Sequence, residues 1–183
     1  MSSAADIIRS RRTVHDFRPG ETPPVEIIEA AIEHAIRAPN HYLSQPWRFR
    51  LLGPQTRETI CLLNADLARA KGGDKAAEHK LKRWRDVPGW LLLSCVRSGD
   101  PIREREDFAA CCCAAQNLML FLWEKGIGVK WTTGEITRHA RFFEIVGIDP
   151  AHESPVGLFW YGYPASVPET ARRPASELLT RLP

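Results

Sequence analysis

The stretch FAACCCAAQNLMLFLWEK, residues 108–125, constrains the fold more than any other part of the chain. On a helix, its alanine, cysteine, leucine and methionine side chains would cover nearly every side. A helix of this kind is buried on most of its circumference, so we expect it at the centre of the fold. The remaining segments must therefore supply layers around it.

Four other segments have the pattern of β-strands. Residues 47–52 alternate apolar side chains with Arg48 and Arg50, which predicts a strand with one wet face. The continuous apolar run GWLLLSCV predicts a buried strand over residues 89–96. A short strand after a helix end at Gly126 and a last strand before Pro164 complete the set, within residues 126–134 and 154–163.

Helical spacing is clearest in PPVEIIEAAIEHAIRAP, residues 23–39, which begins and ends with proline. Residues 55–70 and 135–148 also predict helices. Two segments are expected to be irregular: a polar excursion over residues 71–88, which contains Gly72 and Gly73, and a charged loop over residues 98–107.

The mixed order of helices and strands, without an internal repeat or a linker, predicts one α+β domain over residues 1–183. The Pro-rich tail, residues 165–183, lacks a periodic apolar pattern from which to build a core of its own. We expect the tail to lie against a partner.

Composition excludes several classes of protein. Hydrophobic residues make up 44% and charged residues 26%, as in ordinary globular proteins. The longest apolar runs are shorter than the roughly 20 residues that cross a bilayer, and the first residues do not resemble a secretory signal, so we expect a cytoplasmic protein without a membrane partner. A net charge of +3, without a recognisable binding module, gives no reason to expect a nucleic-acid partner.

No metal site is predicted, because the run Cys111, Cys112 and Cys113 lacks the paired spacing of zinc ligands, and a helix end separates His34 from His41. The five cysteines are expected to be reduced core residues. Three histidines in polar surroundings are expected to be exposed: His79, His139 and His152.

Four segments, taken in order, resemble the nitroreductase-type flavoprotein superfamily. They are RSRRTVHDFRP, APNHYLSQPWRF, AAQNLMLFLWEKGIGVKWTTG, and PVGLFWYGYPA followed by RRP. The position of His41 and the short chain are most similar to the small proteins proposed to be NAD(P)H nitroreductases. The resemblance implies a mostly antiparallel sheet flanked by helices, a long buried central helix, and an intertwined homodimer that binds FMN at the subunit interface.

The resemblance also implies cofactor-binding residues. In the first segment these are Arg11, Arg12 and Thr13, whose guanidinium and hydroxyl donors suit a phosphate or an electron-rich ring edge. The alternative for the arginines is a solvated surface at a helix C-terminus. Further along the chain the implied residues are Trp131, Thr132, Thr133, Arg172 and Arg173. For the threonines the alternative is a strand end, and for the arginines screened surface charge.

The segment RAPNHYLSQPWRF, residues 37–49, is expected to reach the FMN held mainly by the other subunit, through Arg37, Asn40 and His41. A hydrogen-bonded, partly buried histidine is the alternative for His41. The turn Gln45-Pro46-Trp47 is interpreted as structural.

Two motifs depart from the family pattern, at three positions. His15 stands where a second basic residue is common. We assign it to flavin binding and expect the charge of its imidazole to depend on pH. Asn40 and Leu43 replace the serine and asparagine of many members. Both departures affect the expected flavin potential and the choice of substrate more than FMN binding.

The implied activity is ping-pong transfer of reducing equivalents from NADPH or NADH to a nitroaromatic, a quinone or a similar molecule, with hydride carried by the flavin and no protein nucleophile. The alternatives are a non-catalytic FMN carrier or sensor, and an oxygen-dependent flavin enzyme. Residues 71–106 are expected to contribute to the acceptor pocket, which Tyr42, Trp84 and Trp90 could line. Five basic residues could meet a 2′-phosphate or face solvent: Lys71, Lys75, Lys80, Lys82 and Arg83.

Overall fold

The computed structural model describes residues 3–183. Five α-helices form: α1 Ala4–Ser10, α2 Val25–Ala35, α3 Pro54–Arg85, α4 Pro101–Glu124 and α5 Ala140–Val146. Four strands form: β1 Trp47–Leu51, β2 Gly89–Val96, β3 Gly128–Thr132 and β4 Glu153–Gly162. Short 3-10 turns cover His41–Leu43, Glu135–Arg138 and Ala175–Glu177. No helix among the described residues has the length and apolar character needed to cross a membrane.

The strands form one antiparallel sheet in the order β1-β2-β4-β3. The long strands β2 and β4 are central, and their register shifts once, between Leu93 and Ser94. The N-terminal segment extends the sheet through isolated bridges, from Thr13 to Val129 in parallel and from Phe17 to Pro164 in antiparallel. The predicted α+β class and the antiparallel sheet are confirmed.

Side chains alternate between the two faces of the sheet, as a pleated strand requires. On one face, Leu91 and Leu93 pack in a cluster with residues of α2 and α4. On the other, Trp90 and Leu92 pack in a cluster with residues of α3 and α5. Helices therefore cover both faces, and the predicted central helix, α4, lies against the first.

The burial of α4 is less complete in the single chain than the sequence predicts. Ala114 and Leu118 are buried, but Phe108 is 46% exposed and Cys113 is also exposed. The expectation that every cysteine is a core residue is therefore wrong for Cys113. Adjacent positions on a helix point in different directions, so a run of three cysteines cannot be buried on one face.

Two segments predicted to be irregular are helical. The polar excursion continues α3 to Arg85, interrupted only at Gly73, whose φ is 73°. Beyond this glycine, Ala77 and Trp84 lie seven residues apart and both are buried, so the polar segment has an apolar stripe. The charged loop ends earlier than predicted, because α4 begins at Pro101 with Asp100 as its N-cap.

The predicted helix over residues 135–148 is divided into a 3-10 turn and α5. His139 lies at the division, and its Nδ1 accepts a hydrogen bond of 3.1 Å from the backbone of Arg141. His139 is half-buried rather than exposed, because its ring caps the helix. His79 and His152 are exposed as predicted.

Candidate functional site

The N-terminal segment, residues 11–18, is fixed along the edge of the sheet beside β3. The backbone N–H of Val14 donates to the carbonyl of Val129 at 3.2 Å, and the N–H of Arg18 donates to Tyr163 at 2.9 Å. Val14 is completely buried because Gly128 has no side chain, since a Cβ there would lie 2.3 Å from Val14 Cγ2. These contacts set the position of the residues that precede Val14.

Three arginines from opposite ends of the chain lie near one another: Arg11, Arg12 and Arg172. Burial lowers the pKa of Arg11, and the positive charges of Arg172 and Arg12 lower it further. Arg12 Nη1 donates to the carbonyls of Arg9 and Arg11 at 2.6 and 3.0 Å. Within residues 3–183 no carboxylate forms an ion pair with any of the three. This arginine cluster suits an anion such as a phosphate.

A cavity of about 300 Å³ lies between α3 and the far end of β3. Its volume is at the lower end of the range for small-molecule sites. Thr132, a residue predicted from the sequence, lines it together with Gly134. Six further lining residues bear on its chemistry: Asn64, Lys80, Arg83, Trp84, Lys130 and Trp160.

Two polar groups in the cavity wall are notable. Asn64 Nδ2 is buried and has no hydrogen-bond partner within the described part of the chain. Lys130 Nζ lies 4.8 Å from the ring centroid of Trp160. Burial lowers the pKa of Lys130, and the charges of Arg83 and Lys80 lower it further. An unsatisfied buried amide and a partly desolvated ammonium would both gain from a polar, electron-rich ligand.

The segment Trp131 to Gly134 divides between the two faces of the sheet. Trp131 points away from the cavity, stacks on Phe159 at 5.2 Å between centroids, and donates from Nε1 to the carbonyl of Val156 at 3.0 Å. Thr133 is exposed, and its carbonyl accepts from Arg138 Nη1 at 3.1 Å. Of Trp131, Thr132 and Thr133, only Thr132 lines the cavity.

The loop after α2 is held against the start of α4. His41 Nδ1 lies 2.8 Å from Glu106 Oε2, the Asn40 side-chain oxygen accepts from the backbone of Gln45 at 2.9 Å, and Ser44 Oγ donates to Asp107 at 2.5 Å. His41 is therefore hydrogen-bonded, as the alternative for this residue expects, although its side chain is 54% exposed in the single chain.

Three residues of the same loop have left-handed backbone conformations. Their φ values are 53° for Tyr42, 52° for Leu43 and 44° for Gln45. Each costs about 1–3 kcal/mol for a residue other than glycine. Tyr42 and Leu43 are 82% and 76% exposed, so the strain presents apolar side chains to the surroundings instead of burying them.

The single chain does not bring all the predicted residues together. Asn40 and His41 line a separate cavity of about 470 Å³ beside Cys113 of α4. That cavity belongs to the α4 side of the sheet, whereas Thr132 and Lys130 line the one beside α3. Six predicted residues line neither cavity and are exposed: Thr13, His15, Arg37, Thr133, Arg172 and Arg173.

Sequence reasoning missed Asn64 and Lys130. The signal for Lys130 is present, because the period-two alternation of a strand places it on the same face as Thr132. Nothing local marks Asn64, a polar residue inside a helical pattern. Of the three aromatic residues suggested for an acceptor pocket, Trp84 lines the cavity, Trp90 is buried outside it, and Tyr42 lies in the loop after α2.

Known proteins share both the sequence pattern and the fold. The profile of the Nitroreductase family matches residues 8–163. A proposed NAD(P)H nitroreductase from Bacillus subtilis, YfhC, is 32% identical over 172 residues, which cover 92% of this chain and 88% of YfhC.

Two solved structures extend this likeness over the whole chain. The nitroreductase-like family protein from Bacillus cereus is 28% identical with a TM-score of 0.86, covering 100% of this chain and 97% of its own. A proposed nitroreductase from Desulfovibrio desulfuricans, solved in complex with FMN, is 26% identical with a TM-score of 0.77, covering 100% and 98%. The profile match, the Bacillus subtilis relative and the shared fold show that the chain belongs to the nitroreductase family.

Proposed function

We propose that this protein is an FMN-dependent oxidoreductase that passes reducing equivalents from NADPH or NADH to a nitroaromatic, a quinone or a similar oxidised molecule. The observation that carries the proposal is the arginine cluster, three guanidinium groups without a carboxylate partner in the described chain, at the β3 edge of the sheet. Family membership, the NAD(P)H nitroreductase name of the Bacillus relative and the FMN in the Desulfovibrio structure support it.

The proposed roles follow from the groups available at each position. Arg11, Arg12 and Arg172 hold the phosphate of FMN, because they offer forked donors and excess positive charge. Asn64, Lys130 and Thr132 serve the polar edge of the ring, where an amide, an ammonium and a hydroxyl can all donate. Four of the other residues predicted from the sequence remain proposed flavin ligands without a contact that distinguishes them: Thr13, His15, Thr133 and Arg173.

When bound, FMN supplies the hydride chemistry, and the protein needs only to bind, orient and tune it. Lys130 places positive charge in a partly desolvated wall, where electrostatic stabilisation of an anion is stronger than in water. Trp160 is only 3% exposed and gives this wall an apolar base that excludes water. The donation from Trp131 to Val156 fixes the strand that carries Lys130 and Thr132.

We further propose a homodimer with FMN at the subunit interface. In the single chain, Asn40 and His41 line a different cavity from Thr132 and Lys130, so we assign these two residues, together with Arg37, to the site of the partner subunit. The exposed face of α4 and the exposed tail, with Leu182 84% exposed, supply apolar surface for such an interface. A cytoplasmic location stays a prediction from the sequence.

The test is an absorption spectrum of the purified protein after FMN is added and the excess removed, followed by anaerobic NADPH and NADH. A retained flavin spectrum that bleaches with either nicotinamide supports the reductase. Retained flavin that does not bleach favours a carrier or an oxygen-dependent enzyme, and absence of retained flavin overturns the proposal.

A further inference from the structure

The cavity beside α3 has a positively charged wall. Lys80 and Arg83 lie on α3 beyond the break at Gly73, and Lys130 approaches from β3. A fourth lining cation, Lys71, is paired with Glu135. Among the described lining residues, Glu135 is the only acid, so three cations share the cavity without a carboxylate partner.

These three cations repel one another. The pKa of Lys130 is lowered first by burial and then by the charges of Arg83 and Lys80, and only Asp16 opposes this effect. Mutual repulsion is a cost that the folded chain carries in the absence of a negative ligand. An anion bound among the three groups would reduce this repulsion, and the three positive charges would attract it.

The rest of the wall is apolar and aromatic. Trp160 and Trp84 are 3% and 7% exposed, and their rings meet edge to face at 4.9 Å between centroids. Leu67, Ala68 and Ile136 complete the apolar part of the lining. A cavity with a flat apolar base and cations along one side fits a planar ring that carries a negative group.

The arginine cluster already provides for the phosphate of a flavin, and Asn64 and Thr132 provide donors for its ring. Lys80 and Arg83 are not needed for either task, and they come from the segment of α3 that follows Gly73. Their positions at the cavity wall therefore suit a contact with the electron acceptor, which enters after the cofactor.

We propose that the preferred acceptor is an aromatic anion, such as a nitroaromatic carboxylate, whose negative group binds Lys80 and Arg83. This inference rests on the proposed function and names its substrate class. In the first two-electron step, the nitro group takes up a hydride equivalent and a proton and loses one oxygen as water. It becomes a nitroso group, and the nicotinamide is oxidised to NAD(P)⁺.

The test compares two acceptors of nearly the same shape, 4-nitrobenzoate and 4-nitrobenzamide, with the FMN-loaded enzyme. We expect kcat/KM to favour the carboxylate, and the preference to fall as salt is raised. The variant K80Q/R83Q should lower the carboxylate-to-amide ratio of kcat/KM about tenfold, mainly through KM, since two partly exposed charge contacts are lost.

The matched control is K75Q/K82Q, which removes two positive charges from the same half of α3 at positions that do not line the cavity. It should leave the ratio unchanged. An equal fall in both variants would show a general field effect and overturn the proposal. A ratio near one in the wild type would also overturn it, and so would a K80Q/R83Q effect confined to the KM of NADPH, which would assign the cations to the 2′-phosphate of the donor.

A binding measurement separates this inference from the proposed function. Trp84 and Trp160 line the cavity, so benzoate and benzamide can be compared by tryptophan fluorescence without turnover, with K80Q and R83Q as single variants if the double variant does not fold. Tighter binding of benzoate, weakened by either substitution, supports the anion site even if the flavin does not bleach. Equal binding of the two probes contradicts it even if the enzyme reduces nitro compounds.

Discussion

The cavity beside α3 and the loop after α2 differ in how far a single chain completes them. The cavity has walls from α3, β3 and β4, and its polar groups lie on well-packed elements. The loop presents strained and exposed residues, and its histidine is hydrogen-bonded to Glu106 of α4 and stacks on the neighbouring Tyr42. In the proposed homodimer, the first region would bind its ligand mainly from within one chain, whereas the partner subunit would complete the second.

The largest effect is expected at the arginine cluster. Replacing Arg11 and Arg12 by glutamine should weaken FMN binding by about thirtyfold or more, because a charged group that the ligand neutralises is lost. Equilibrium dialysis or flavin fluorescence measures it. R9Q/R18Q removes two charges from the same part of the chain and should change the affinity little. Equal weakening in both variants would show that general surface charge, and not a specific arginine site, attracts FMN.

The loop is expected to act on the partner's site, with a smaller effect. R37Q/H41Q should weaken FMN binding about tenfold, since two partly exposed contacts are lost. When this variant and R11Q/R12Q are unfolded and refolded together, each mixed dimer has one site free of both defects. Recovery of tight flavin binding in the mixture supports a loop that crosses the interface. Without recovery, the loop acts within its own chain.

The sheet face that carries the cavity is also fixed by an ion pair far from it. Arg50 donates to both oxygens of Glu153 at 2.8 and 2.9 Å, and this contact lowers the pKa of Glu153 below its ordinary value of 4.5. The stabilisation is therefore complete above pH 4.5 and is lost as the pH falls through the lower, folded-state pKa.

For E153Q we expect a loss of about 1–3 kcal/mol in the free energy of unfolding at pH 7, and a smaller difference from wild type near pH 3. Urea unfolding at both pH values measures this. E21Q, which breaks the exposed pair between Glu21 and Arg18, should cost less than about 1 kcal/mol at either pH. A pH-independent effect of E153Q would show that packing, and not ionisation, stabilises this position.

The smallest effect is expected at the contact of the loop with α4. Glu106 and His41 have side chains 43% and 54% exposed, so E106Q should change the free energy of unfolding by less than about 1 kcal/mol. Thermal unfolding of the cofactor-free protein measures it. A larger loss would show that contacts within one chain fix the loop. It would contradict the view that the loop region, unlike the cavity, is completed by a partner subunit.

Much of the fold could be predicted because the spacing of apolar residues along each strand indicates which of its faces are buried. The runs at 89–96 and 154–163 are apolar in succession and form the two central strands. The helical half of α3 beyond Gly73 was not predicted, since its polar composition conceals a stripe of widely spaced apolar residues. The start of α4 was missed although Asp100 and Pro101 form an ordinary helix beginning.

The site could be predicted only in part, for a physical reason. Motif resemblance predicted roles for Arg11, Arg12 and Thr132 and a phosphate role for Arg172 or Arg173. It left open which face of β3 Trp131 occupies and which of the two later arginines lies near Arg11. Strand alternation places Lys130 on the same face as Thr132, but its approach to Lys80 and Arg83 of α3 depends on packing. The proximity of residues distant in sequence depends on packing between elements, which local patterns do not contain.

The close contact between Gly128 and Val14 means that the N-terminal segment is docked through the absence of a side chain. A single methyl group at position 128 would meet Val14 at 2.3 Å and push the segment away. The G128A protein would retain every proposed ligand of the phosphate while their alignment is lost. This exchange of a hydrogen for a methyl group therefore separates two requirements for anion binding: the presence of the arginines and their alignment.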